Sequence, residues 1–166
     1  MRLVLIAAVL LILTSPPGAA AQPVPLTPKL TGLSGVWIRD ATRGWGGICG
    51  VPVPTRLSFA VRPGEVEVET NVFTGTLKLD GSDTTVSDGR IANASLDAGW
   101  LKITMTRPRG GGYANVMREV YILTGDDLTI WRVLNVVLPD GGDGKIDCGN
   151  RHAIVYTRRE PAPPLP

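Results

Sequence analysis

The chain has 166 residues, and its 17 Lys and Arg against 15 Asp and Glu leave a formal charge of +2. That length suits one ordinary domain with a core that needs no metal, and leaves no room for a second. Because the basic residues are scattered rather than gathered on one segment, the composition argues against nucleic acid as a partner.

At the N-terminus Arg2 supplies a positive charge, Leu3 to Leu13 form an unbroken apolar run, and Pro16, Pro17 and Gly18 precede Ala19-Ala20-Ala21. This is the order of a cleavable secretory signal over residues 1–21. The run is roughly half the ~20 apolar residues of a membrane span, so no retained anchor is expected. Cleavage after Ala21 leaves Gln22 first, with no neighbouring Cys to carry a lipid. The expected destination is the periplasm or the exterior, and the alanine-rich leader suggests a bacterial source.

Residues 22–29 and 161–166 are rich in proline and read as an extended linker and tail around a folded domain over residues 30–160. Cys49 and Cys148 are the two cysteines. An even pair in an exported chain reads as a disulfide. A thiol metal site or a cysteine nucleophile lacks partners, since His152 is the one histidine and no Cys-x-x-Cys occurs.

Within the domain the dominant period is two, as in half-buried strands. Leu57, Phe59 and Val61 alternate with polar or small residues, as do Val66 and Val68 among Glu65, Glu67 and Glu69. The pattern returns at Leu77 and Leu79, at Leu101, Ile103 and Met105, and at Leu128 and Ile130. Further strands are predicted over 34–40, 116–124 and 152–159, and residues 133–138 read as a buried strand end or part of a pocket wall. Pro63-Gly64, Asp80-Gly81, Asp88-Gly89, Gly125-Asp126-Asp127 and the tract from Asp140 to Gly144 supply the turns. Eight to ten short strands joined in sequence predict an all-β, antiparallel up-and-down meander that closes into a barrel or strongly curled sheet. The alternative is a two-sheet sandwich.

Leu33-Ser34-Gly35-Val36-Trp37 opens the first strand and Tyr156-Thr157-Arg158-Arg159 ends the last. This resembles the lipocalin and calycin pattern, and also small exported bacterial domains of unassigned function that begin Leu-Ser-Gly-x-Trp. The resemblance implies that Gly35 and Trp37 plug the barrel base, and that Arg158 or Arg159 clasps the Trp ring. The physics stands without the family: a flat Trp fills a tapering end, a neighbouring Gly admits close backbone, and a guanidinium stacks on the ring.

No catalytic constellation is visible: His152 stands alone, without a Gly-x-Ser-x-Gly elbow, a zinc-spaced His pair or a phosphate-binding Gly loop. The three glutamates at 65, 67 and 69 read as a solvated strand face. In the tract from Asp140 to Asp147 the acids that a calcium loop requires are missing, so it reads as a Gly-rich hairpin, with weak binding through Asp140, Asp143 and Asp147 the lesser reading. Asn93-Ala94-Ser95 fits a glycosylation acceptor that matters only in a eukaryote. Neither an enzyme, a cofactor nor a metal is called for. Two features suit recognition: Trp45 on a Gly-rich loop, and the cationic hairpin tip carrying Arg107 and Arg109. The reading is an exported, non-catalytic, lipocalin-like domain that binds a small apolar or amphipathic ligand near these residues. The alternative is a structural or interaction module, an inhibitor or envelope partner, with a solidly filled barrel. Interior volume separates the two.

Overall fold

The structure, a computed structural model, describes residues 26–44, 51–145 and 152–160. One helical turn, α1 (Pro28–Thr31), precedes β1 (Gly35–Gly44), β2 (Arg56–Arg62), β3 (Glu65–Thr70), β4 (Thr74–Lys78), β5 (Thr84–Thr85), β6 (Ile91–Asp97), β7 (Trp100–Pro108), β8 (Ala114–Thr124), β9 (Asp127–Val137), β10 (Asp143–Lys145) and β11 (His152–Glu160). All pairings between these strands are antiparallel. The order across the sheet is β4-β3-β2-β1-β11-β9-β8-β7-β6-β5, and β10 pairs off this path with β9.

The path is a meander in which the last strand returns to lie beside the first. Its two free edges meet: Asp80 bridges to Ser95, Gly81 N donates to Ala94 O at 2.9 Å, and Ser87 N donates to Thr74 O at 3.0 Å. The sheet is therefore a nearly closed barrel, not a sandwich, and closing it protects edges that would otherwise template association. At the seam a Cβ on Gly75 would stand 2.7 Å from Val86 Cγ1, so only glycine lets β4 come this near. On the far side Gly44 lies opposite Ile154 in the left-handed region, and a Cβ there would meet Ala153 O at 2.5 Å.

Alternation fills the interior. Leu57, Phe59 and Val61 of β2, Val66 and Val68 of β3, and Leu101, Ile103 and Met105 of β7 all face inward and are buried. Each such side chain contributes about 1.5–3 kcal/mol relative to exposure. On the outer wall Glu67 and Glu69 are exposed and face Arg62 at 3.5 Å and Arg56 at 3.8 Å, pairs worth roughly 0–1 kcal/mol.

The helical turn closes one end. Thr27 caps it, accepting from Leu30 N at 3.3 Å, and Pro28 opens it, a combination that pre-sets a helix start. Leu30 is fully buried and Leu26 packs against the core. The extended linker expected over 22–29 is thus corrected in its last residues: from Leu26 the chain is already part of the folded unit.

Candidate functional site

Trp37 stands under this helical turn, with no exposed surface, and its Nε1 donates to Leu33 O at 2.8 Å. The Arg158 guanidinium lies 4.7 Å over its ring and donates through Nη2 to Gly32 O. Parity selects Arg158: Ile154 and Tyr156 are buried on the inward face of β11, and the next inward position is 158. Gly35 is buried beside them with φ of +127°, a conformation that favours glycine. Gly35, Trp37 and Arg158 are thus brought together at this end, with Leu30 and Leu33 buried beside them.

The opposite end is different. There, among the described residues, the strap from Val51, the β3–β4, β5–β6 and β7–β8 connections and the ends of β7, β8 and β9 border a cleft of about 600 Å³. Its apolar wall is made by Val51, Val72, Met105, Met117 and Leu134, and its polar side by Asp88, Arg90, Arg107, Arg109 and Asn115. Strand parity explains the layering. Along β7 the inward residues run Leu101, Ile103, Met105 and then Arg107, so the same face turns from apolar to cationic as it reaches the rim. Pro108 ends β7, and a tight turn at Gly110–Gly112, with Arg109 N donating to Tyr113 O at 2.7 Å, reverses the chain into β8.

At the rim Arg90 is fixed on two sides. Its Nε donates to Asp88 Oδ2 at 2.6 Å, and its guanidinium lies 4.9 Å from the centre of the Phe73 ring. Its Nη2 is buried without a hydrogen-bond partner, and so is Asn115 Oδ1. Arg107 and Arg109 are exposed, and neither has a carboxylate within 4.0 Å among the described residues.

Beneath the cleft lies a polar layer that sequence reasoning missed. Glu119 and Arg132, each 2% exposed, face one another inside the barrel. Arg132 Nε donates to Glu119 Oε1 at 2.6 Å, and the Tyr121 hydroxyl donates to Glu119 Oε2 at 2.6 Å. Burial works against the Arg132 charge, but the Glu119 carboxylate beside it outweighs this and raises its already high pKa. Burial pushes the Tyr121 phenol well above its ordinary range, the Glu119 charge adding to it, and burial likewise raises Tyr156. The layer also reaches outward to the strap that follows residue 50: Tyr156 donates to Pro54 O at 2.8 Å and Arg132 Nη1 to Pro52 O at 3.4 Å. Both Glu119 oxygens are thus engaged by donors, and the pair forms a floor beneath the cleft. A cavity of about 30 Å³, on the scale of one or two waters, separates this floor from the larger space above.

No protein-family model, curated protein or solved structure matches the chain significantly. The geometry therefore carries the functional argument.

Trp45, Cys49 and Cys148 lie outside the described residues. Asp140 and Asp143 flank the β9–β10 hairpin, where Asp140 Oδ1 accepts from Gly142 N at 2.9 Å and Asp143 faces Arg118 at 3.9 Å. Among the described residues no group of three or more His, Cys, Asp or Glu is placed to hold a metal. The floor did leave a trace in the sequence: Glu119 falls between Met117 and Tyr121, and Arg132 between Ile130 and Leu134, in the parity of the buried face. A charge at such a position needs a buried partner.

Proposed function

We propose that this chain is an exported, non-catalytic binding domain of lipocalin-like shape, whose open barrel end holds a small apolar or amphipathic molecule. The observation that carries this reading is the cleft of about 600 Å³. It lies within the ~300–1,000 Å³ of small-molecule sites and has their usual make-up, an apolar wall with a few convergent polar groups. Two methionines in that wall suit ligands of variable shape, because the thioether side chain is unbranched and adaptable. Export rests on the leader at residues 1–21.

A second reading has support of its own. Below the ionic floor the barrel is filled by Trp37, Phe59, Tyr121 and Tyr156, all buried. A filled barrel is what an interaction module requires, and it confines any ligand to the open end. The two readings part on a binding titration of the mature, oxidised protein with N-phenyl-1-naphthylamine, an uncharged fluorophore. Saturable binding at one site, weakened about tenfold or more when Leu134→Trp fills the cleft, supports the ligand-binding reading. Failure of the fluorophore to bind, with the fold intact, favours the interaction module.

A further inference from the structure

We infer that the molecule held at the open end carries an anionic head, a carboxylate or phosphate, set among Arg90, Arg107 and Arg109, with its apolar tail against Met105, Met117 and Leu134. The inference rests on the binding reading above and specifies the chemistry of that site.

The first ground is charge. Among the described residues three guanidiniums line the cleft against one carboxylate, and that carboxylate, Asp88, is already engaged by Arg90 at 2.6 Å. On the outer wall the usual arrangement is different: Arg43, Arg56, Arg62, Lys102 and Arg118 each face a carboxylate. Cations that outnumber the acids among the described residues of one concave rim create a positive field that attracts and orients anions.

The second ground is the state of Arg90. Asp88 and Phe73 hold its guanidinium in place, yet Nη2 is buried and unpartnered. A buried donor left unmade is costly, and an anionic oxygen is the strongest acceptor that could relieve it. Guanidinium also suits this task by shape, since its fork matches the two oxygens of a carboxylate or phosphate. Asn115 Oδ1 is the other buried, unpartnered polar atom on the cleft. As placed it accepts; rotated about its last torsion, the amide offers donors to the same space.

The third ground is order along the strands. Arg107 follows Met105 on one inward face, and Asn115 precedes Met117 on the neighbouring one, so polar atoms stand one step of the pleat, roughly 7 Å, above the thioethers. A ligand with head and tail joined end to end fits that sequence of surfaces.

The test uses four probes that share one tail, dodecanoate, dodecyl phosphate, dodecanol and dodecyltrimethylammonium, each below its micelle concentration. They compete with the uncharged naphthylamine on the mature protein at low and at physiological salt. The expected result is that at least one anion binds about tenfold or more tighter than the alcohol at low salt, with the ammonium weakest. The advantage shrinks as salt screens the rim. The tighter of the two anions names the head. In the Arg107→Gln/Arg109→Gln variant, whose changes are on exposed side chains, the advantage of the anion over the alcohol falls to about threefold or less. Arg90→Gln acts in the same direction, and the exposed pair keeps the test independent of its packing on Phe73. Equal binding of alcohol and anions, or a preference for the ammonium, overturns the anionic head and leaves the binding reading standing. If the naphthylamine itself does not bind, both fall together.

Discussion

Replacing Glu119 by leucine removes the acceptor for Arg132 Nε at 2.6 Å and for the Tyr121 hydroxyl at 2.6 Å. It strands the Arg132 side chain, 3% exposed, whose remaining acceptor among the described residues is Pro52 O at 3.4 Å. Breaking a buried pair by removing one partner costs about 3–5 kcal/mol. An orphaned buried hydroxyl adds on the order of 1–3 kcal/mol, and because the groups share one network the terms do not simply add. The expected loss for Glu119→Leu is therefore roughly 4–6 kcal/mol, a large share of the ~5–15 kcal/mol by which domains are stable. Removing the whole network in Tyr121→Phe/Glu119→Leu/Arg132→Met leaves no unpaired charge, and stability is expected to return to within about 2 kcal/mol of the parent, or to exceed it. Urea unfolding read by tryptophan fluorescence, with the slope on denaturant compared between variants, measures both. A single variant within about 1 kcal/mol of the parent would mean that Glu119 meets water in solution, and the floor under the cleft would not exist. A triple variant as unstable as the single would locate the loss outside the pair.

Other consequences can be checked by similar means. Trp37→Ala empties the closed end and strips Arg158 of its ring, so a loss of about 3–5 kcal/mol is expected in the same urea assay, and a near-zero change would remove Trp37 from its role as plug. Tyr121 and Tyr156 have folded pKa values raised above the ordinary 10.0, chiefly by burial. The stability they confer is full below about pH 10 and is lost as pH rises from there through the folded values, because the unfolded phenols ionise first. Urea midpoints should accordingly fall above about pH 10, by up to roughly 1.4 kcal/mol per unit for each tyrosine, with Tyr156→Phe lessening the slope; a flat profile would contradict their burial. Cys49 and Cys148, which lie outside the described residues, are expected to be bridged. Under the export proposed above, the mature protein is expected to begin at Gln22 and to weigh two hydrogens less than its reduced form by intact mass. Reduction should cost up to about 4.7 kcal/mol for a loop of ~100 residues, and two free thiols under non-reducing denaturation would exclude the bridge.

Strong alternation made most of the barrel legible in the sequence. The predicted strands at 34–40, 116–124 and 152–159 correspond to β1, β8 and β11, with ends displaced by a few residues. What escaped had little apolar signal. The inward residues of β6 include Ala92 and Ala94, fully buried but too small to mark a pattern, and β5 and β10 are only two and three residues long. Residues 133–138, read as a buried strand end or part of a pocket wall, are half-buried: β9 runs to Val137, and Leu134 lines the cleft. The cationic tip at Arg107 and Arg109 was visible as composition, whereas Arg90 was not, because its place on the cleft depends on how the β5–β6 turn reaches Phe73 across the seam. The Glu119–Arg132 floor went unread for a simple reason: paired charges on adjacent strands look like surface until parity puts both inside.

The most direct test of a ligand at the open end uses the protein's own side chains. Apart from Met1, which the mature chain proposed above lacks, the methionines are Met105 and Met117, and both line the cleft. In a methyl NMR titration of carbon-13-labelled methionine with dodecanoate or dodecanol, both resonances are expected to move together, saturate at one equivalent, and stay still in Leu134→Trp. Methyl signals that remain fixed across the titration would contradict binding in the cleft.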